Sequence, residues 1–408
     1  MMRKRSWIST LAAGLVLALA LTACGSSNGD AGAGGEDGIK VGVLFSTSGQ
    51  TALGEQGMAN ATLMAIDEIN ADGGVNGKQL VPIQEDYASD PSMAATKAKK
   101  LLMEDDVAAI IGAYTSASRQ AVLPIVEQND GLLVYPMQYE GEEYSDNIIY
   151  TGPVPNQGLQ MFIPWLTENK GKKFFLIGSD YVFPVETNKQ VKALLEMNGG
   201  TMVGEEYVPM GQAEFASVIN KIKEAKPDIV FSTLVAESVS AFYKQFANYG
   251  LTSEDILIAS TTPTETDLAA MGGEPAKGHI TVQPYFQSVD TPENKDFITN
   301  YQKKYGNAPV NTQMEAAYYS VYLLKEALAK TEDLTDTKQL IANFAGLEFQ
   351  APQGKIQMDE KNHHTKLNAF IGVANEQGQF DIVKTFDPVS PEPWSKLIFP
   401  DQEEPWDK

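Results

Sequence analysis

The sequence predicts an α/β protein built from two doubly wound, parallel-sheet lobes. Three observations predict it. From residue 39 onward, short apolar strands alternate with amphipathic helices, the pattern that builds parallel sheets covered by helices on both faces. The alternation comes in two series that meet near Thr151–Pro155 (TGPVP). The chain has 408 residues and one cysteine, so it is long enough for two ordinary domains and has no internal disulfide or cysteine cluster to hold them.

Taken in order, the N-terminus comes first. Arg3, Lys4 and Arg5 precede an apolar run from Trp7 to Leu21, which ends in Leu21-Thr22-Ala23-Cys24. The run is short for a membrane span and has the layout of an export signal. A small residue before a cysteine at this point resembles the bacterial lipobox. Residues 1–23 are therefore expected to be a lipoprotein signal peptide, and Cys24 the lipidated first residue of the mature chain. Residues 24–38 (CGSSNGDAGAGGEDG) read as a flexible polar tether. No strand precedes these glycines and no Lys-Ser/Thr pair follows, so they are not a phosphate loop.

In the body, strands are expected at 39–45, 78–86, 107–111 and 132–135, with helices at 57–69, 92–103 and 118–128 between them. The second series places strands at 173–177, 201–208, 229–233 and 256–259. Its helices fall at 188–198, 213–225, 238–249 and 266–271. The remainder is less regular: a strong helix at 316–330, strands at 355–358 and 368–373, and a Pro-rich end from Pro388.

The net charge of −22 repels nucleic acid and anionic headgroups, so no nucleic-acid partner is expected. In open α/β sheets, ligands bind beyond the C-terminal ends of the strands. Two lobes facing each other there form a cleft that can close on a small solute. The post-strand loops carry Ser46, Ser48, Tyr114, Thr115, Ser116, Tyr135, Met137, Gln138, Tyr139, Ser179, Tyr181 and Thr262, with Asp180 and Glu237 as acids. Basic side chains are nearly absent, and Arg119 lies within a helix. Hydroxyls, backbone amides and tyrosine faces suit a small planar amide, whose N–H groups need acceptors and whose flat faces need cover. Any single serine among them could equally be a helix cap.

The segments GAYTSASR, YPMQYEG and GSDYVFP resemble the urea and short-chain-amide group of type I periplasmic binding proteins, a family that includes the binding proteins of urea ABC transporters. The resemblance runs from Ile39 to about Val389 and includes AIDEINADGGVNG and APQGKIQMDEKNHH. It implies the type I fold, with three segments crossing between the lobes near 151–156, 282–288 and 351–355. Lobe 1 would be 39–152 plus 285–350, and lobe 2 would be 155–283 plus 352–400. It also implies a ligand between the lobes. Tyr114, Thr115 and Ser116 would touch it, Tyr135, Met137 and Gln138 would line the first lobe's wall, and Tyr181 and Thr262 would reach in from the second lobe. The related amide-sensing regulators have Thr-Pro where this chain has Met137-Gln138, which points to the transporter branch.

The function implied is capture of urea or a short amide by a membrane-anchored protein outside the cytoplasm, on the cell surface or in the periplasm, for the permease subunits of an ABC importer. The alternatives are a branched-chain amino acid binder, which an ammonium-binding acid facing Tyr114 would support, and an amide sensor. No enzyme activity, cofactor or metal is expected. His279, His363 and His364 lie outside the cleft loops, and KNHH reads as an exposed turn.

Overall fold

A computed structural model describes residues 38–407; the expected signal peptide, Cys24 and nearly all of the expected tether lie outside the described residues. The first half of the alternation runs β1 (Ile39–Leu44), α1 (Ala52–Ala71), β2 (Leu80–Glu85), α2 (Pro91–Met103), β3 (Ala109–Gly112), α3 (Ser116–Gln128), β4 (Leu133–Tyr135) and β5 (Ile148–Tyr150). These five strands form one all-parallel sheet in the order β2-β1-β3-β4-β5.

The second half runs α4 (Leu159–Asn169), β6 (Lys173–Ser179), α5 (Val182–Met197), β7 (Thr201–Val208), α6 (Ala216–Ala225), β8 (Ile229–Thr233), α7 (Glu237–Asn248), β9 (Leu257–Ser260), α8 (Glu265–Met271) and β10 (Ile280–Gln283). It is followed by α9 (Pro292–Tyr305), α10 (Thr312–Lys330), α11 (Thr337–Ala342), β11 (Glu348–Ala351), β12 (Gly354–Met358), β13 (Thr365–Ala374) and β14 (Phe380–Val389). The nine-stranded second sheet follows the path β11-β12-β13-β10-β9-β8-β6-β7, with β14 on β13. Strands β6 to β10 are parallel, and β11 to β14 add an antiparallel extension.

Strand alternation sorts the core of the second sheet. Phe174, Leu176, Ile229 and Phe231 enter one buried cluster, while Phe175, Ile177 and Val230 enter another. Both faces are apolar because helices cover both. The first sheet has its own core, which also takes in Tyr319, Leu323 and Leu324 of α10 and Ile356 and Met358 of β12. The 351–355 segment forms the β11–β12 hairpin turn.

Most predicted elements are present within a few residues. Helix α5 begins at Val182, six residues before its predicted start, and α10 begins at Thr312, capped by Asn311. Seven elements were not expected from the sequence: β5, α4, β10, α9, α11, β11 and β14. Strand β5 has three residues, α4 contains Pro164, and α9 buries little beyond Asn294, Phe297 and Tyr301. Strand β14 is mostly solvent-exposed and continues through Pro388, a residue that edge strands tolerate.

Candidate functional site

The loops after β1, β3 and β4 meet those after β8 and β9, and the start of α10, around a polar chamber. It holds about 520 Å³ of empty space, part of it open to solvent. Tyr114, Met137, Gln138 and Thr262 line it, as do Glu237, Asp267 and Gln313. No basic side chain lines it among the described residues.

Tyr114 is the best-anchored of these. Gly112 has φ +152, and a Cβ there would meet the Leu44 carbonyl oxygen at 2.0 Å, so only glycine allows β3 to end this close to β1. Ala113 follows with φ +60, and the chain turns into the chamber. The Tyr114 N–H donates to the Tyr87 hydroxyl (3.1 Å), and the Tyr135 hydroxyl donates to the Tyr114 carbonyl (3.0 Å). Tyr87 in turn donates to Glu55 (2.6 Å), which also accepts from the Ser46 N–H (2.7 Å) and the Thr51 hydroxyl (2.5 Å). Burial pushes the Glu55 carboxyl up to about 7 despite these donors. The Tyr114 phenol is raised by burial and then by the Asp267 carboxylate, which lines the same chamber.

Asp267 stands in the first turn of α8, where one oxygen accepts from the Thr264 N–H (2.9 Å) and hydroxyl (2.8 Å). Enclosure by the surrounding protein pushes it up to about 6. Its neighbour Glu265 is 1% exposed, accepts the Gln287 N–H at 2.7 Å, and is pushed by burial up to about 8. A raised carboxyl stabilises the fold fully below its unfolded value near 4.5 and loses that contribution as pH rises towards 8. Replacing Glu265 with Gln is therefore expected to flatten the fall in thermal stability between pH 5 and 8, by roughly 2–4 kcal/mol. Parallel melting curves of the two proteins across that range check this, and identical slopes would reject it.

The other expected site residues stand behind or beside the chamber wall. The Thr115 side chain caps α3 by accepting the Ser118 N–H at 3.1 Å. Ser116 donates to Glu140 at 2.5 Å, and Tyr135 is fully buried. Tyr181 precedes α5, and its phenol is raised by burial and then by the neighbouring Tyr114 and Tyr135. Ser46, Ser48 and Ser179 serve local backbone and side-chain bonds, to Ser89, Asp86 and Val235.

Behind Ser116 and Tyr135 lies a network that the sequence did not reveal. Arg119 is 0% exposed. It donates to Glu140 (2.8 Å) and Glu143 (2.7 Å), and it sits 4.4 Å from the Tyr139 ring centre. Tyr139 pairs with His364 Nε2 at 2.6 Å, and His364 stacks on Tyr150 at 4.2 Å. The expectation of an exposed KNHH turn is corrected here: His364 is 0% exposed, and burial takes its pKa down to about 3. Its Nδ1 faces the Asn362 carbonyl at 2.5 Å. That carbonyl can only accept, so the neutral ring carries its proton on Nδ1 and Nε2 accepts from Tyr139. Asn362 and the stacked rings pull the turn inward, a long-range effect with no local sequence signal.

Comparison with known proteins places this geometry in a family. The profile described as "Periplasmic binding protein domain" matches residues 39–399. A curated relative named "Leu/Ile/Val-binding protein homolog 6", from Brucella suis biovar 1 (strain 1330), is 27% identical over 369 residues, covering 86% of this chain and 92% of the relative. The solute binding protein of an ABC transporter from Rhodopseudomonas palustris BisB5, in complex with 3,4-dihydroxybenzoic acid, superposes with a TM-score of 0.79 at 27% identity. The match covers 87% of this chain and 99% of that one. A branched-chain amino acid transporter substrate binding protein from Streptococcus pneumoniae, in complex with isoleucine, has a TM-score of 0.76 at 22% identity, covering 87% of this chain and all of that one; at that identity it shows the fold alone.

Proposed function

The chain belongs to the periplasmic binding protein family, and on that premise we propose that it captures urea or a short-chain amide in the polar chamber without chemical change. Its fold is the type I fold of that family, and it is a solute-binding protein of an ABC transporter that works outside the cytoplasm. The choice of solute rests on one observation. The chamber presents two carboxylates, hydroxyls and side-chain amides, and no basic side chain among the described residues. Such a lining complements a ligand rich in N–H donors and lacks a side-chain counter-ion for a ligand carboxylate. Lipidation of Cys24 belongs to the same proposal, since a tether of that length would hold the cleft beside its permease.

One observation favours a second reading. Asp267 lines the same chamber as Tyr114, where an acid would pair with the ammonium of a branched-chain amino acid. Titration calorimetry of the mature protein with urea, acetamide and leucine separates the two. The amide reading expects heat with urea or acetamide and none with leucine; the reverse pattern overturns it. Replacing Asp267 with Asn sharpens the contrast. An amide still finds an acceptor oxygen there, so its affinity is expected to fall by less than about fivefold. An ammonium loses a charge-assisted bond worth about 1.5–3 kcal/mol, roughly ten- to hundredfold.

A further inference from the structure

A second cavity lies against the first, and the two share one side chain. This apolar chamber holds about 420 Å³ of empty space, part of it open to solvent, between the β4–β5 loop, the segment entering α4, the start of α5 and the end of β10. Val154, Leu159, Phe183, Val282 and Pro284 supply its apolar lining. Gln138 borders both chambers. The neighbours Thr261 and Thr262 are divided between them, with Thr261 on the apolar side and Thr262 on the polar side. Gln138 and the 261–262 segment thus form a partition.

The apolar chamber has unmet hydrogen-bonding capacity. Thr187 is 2% exposed, and its Oγ1 has no hydrogen-bond partner. Oγ1 of Thr261 is also buried and unpartnered. Both residues line this chamber. Buried hydroxyls in native proteins are nearly always paired, so two unpaired ones on one small cavity mark a place where a bound group completes the bonding.

We propose that the apolar chamber is a second compartment of the solute site, that it takes the alkyl end of a longer uncharged solute with its polar terminus against Thr187 and Thr261, and that Gln138 sets how far a solute reaches into it. This rests on the proposed amide reading. With Gln138 in place, the head group is held in the polar chamber and short solutes are favoured. Without it, each methylene that crosses the partition leaves water for an apolar lining, a gain of about fourfold in affinity per methylene (~0.8 kcal/mol).

Calorimetry on the mature wild-type protein and Gln138→Ala, with acetamide and pentanamide, tests this. The pentanamide-to-acetamide affinity ratio is expected to rise at least tenfold in the variant. Thr187→Val, isosteric with threonine but without the hydroxyl, is expected, when added to Gln138→Ala, to raise the affinity for pentanamide and to lower that for 5-hydroxypentanamide, whose terminal hydroxyl would pair with Thr187; no loss for 5-hydroxypentanamide removes the polar terminus from the proposal. If the wild-type protein takes urea but neither amide, the partition is read from methylurea against butylurea; if it takes none of these, the amide reading fails by itself, and the partition is read from alanine against norleucine. A chain-length ratio unchanged by Gln138→Ala in whichever series binds overturns the proposal. Melting curves of each variant show that it is folded.

Discussion

Replacing Arg119 with alanine is expected to lower the unfolding free energy by about 3–5 kcal/mol, the usual cost of removing one partner of a buried ion pair. The cost arises because Glu140 (3% exposed) and Glu143 lose the cation that offsets their desolvation. Three of the guanidinium contacts go to these two carboxylates, and its flat face covers Tyr139. The effect should reach the site, since Glu140 also accepts from Ser116 and its carbonyl accepts from Gln190 of α5 at 2.9 Å. Denaturant unfolding of the two proteins gives the number. Adding Glu140→Gln and Glu143→Gln to Arg119→Ala is expected to recover part of the loss, because neutral amides tolerate burial better than unpaired carboxylates. A loss below about 1 kcal/mol in the single variant would show that the network is not a buried ion pair in solution.

Removing the Tyr114 ring is expected to have the largest effect on binding. Tyr114→Ala should weaken the solute by roughly thirtyfold, about 2 kcal/mol, through loss of an apolar face held against a small ligand. The backbone should stay in place, because Tyr87 and Tyr135 hold its N–H and carbonyl rather than its side chain. Tyr114→Phe keeps the face and loses only the hydroxyl, so it should retain most of the affinity. Calorimetry with the solute that binds the wild-type protein decides this, and affinity within threefold of wild type for Tyr114→Ala would take the ring off the ligand.

Half of the candidate side chains were legible as chamber residues before the structure: Tyr114, Met137, Gln138 and Thr262 line it. The others share their loops but face elsewhere, because adjacent residues at a strand end point in different directions. Thr115 turned back to cap α3, Ser116 turned to Glu140, and Tyr135 went beneath Tyr114. Of the two acids that line the chamber, Glu237 was among the loop candidates and Asp267 was harder to see. Asp267 sits three residues into a capping box and reads locally as a cap, while its place in the same chamber as Tyr114 depends on how two distant sheets meet. Gln313 was missed because its helix was expected to start at residue 316, although Asn311 offers a cap at the true start.

Local pattern gave the two α/β series, most of the strands and helices of both sheets, and the loops from which a cleft could be built. Periodicity and post-strand chemistry are local, so they survive being read one residue at a time. Contacts between distant segments set which residues of those loops line the chamber, that Arg119 is buried between two carboxylates and a tyrosine ring, and that Gln138 stands between a polar and an apolar chamber. Those facts depend on contacts between segments up to more than two hundred residues apart, such as Tyr139 with His364. The strength of charges there is set by burial, which no stretch of sequence contains.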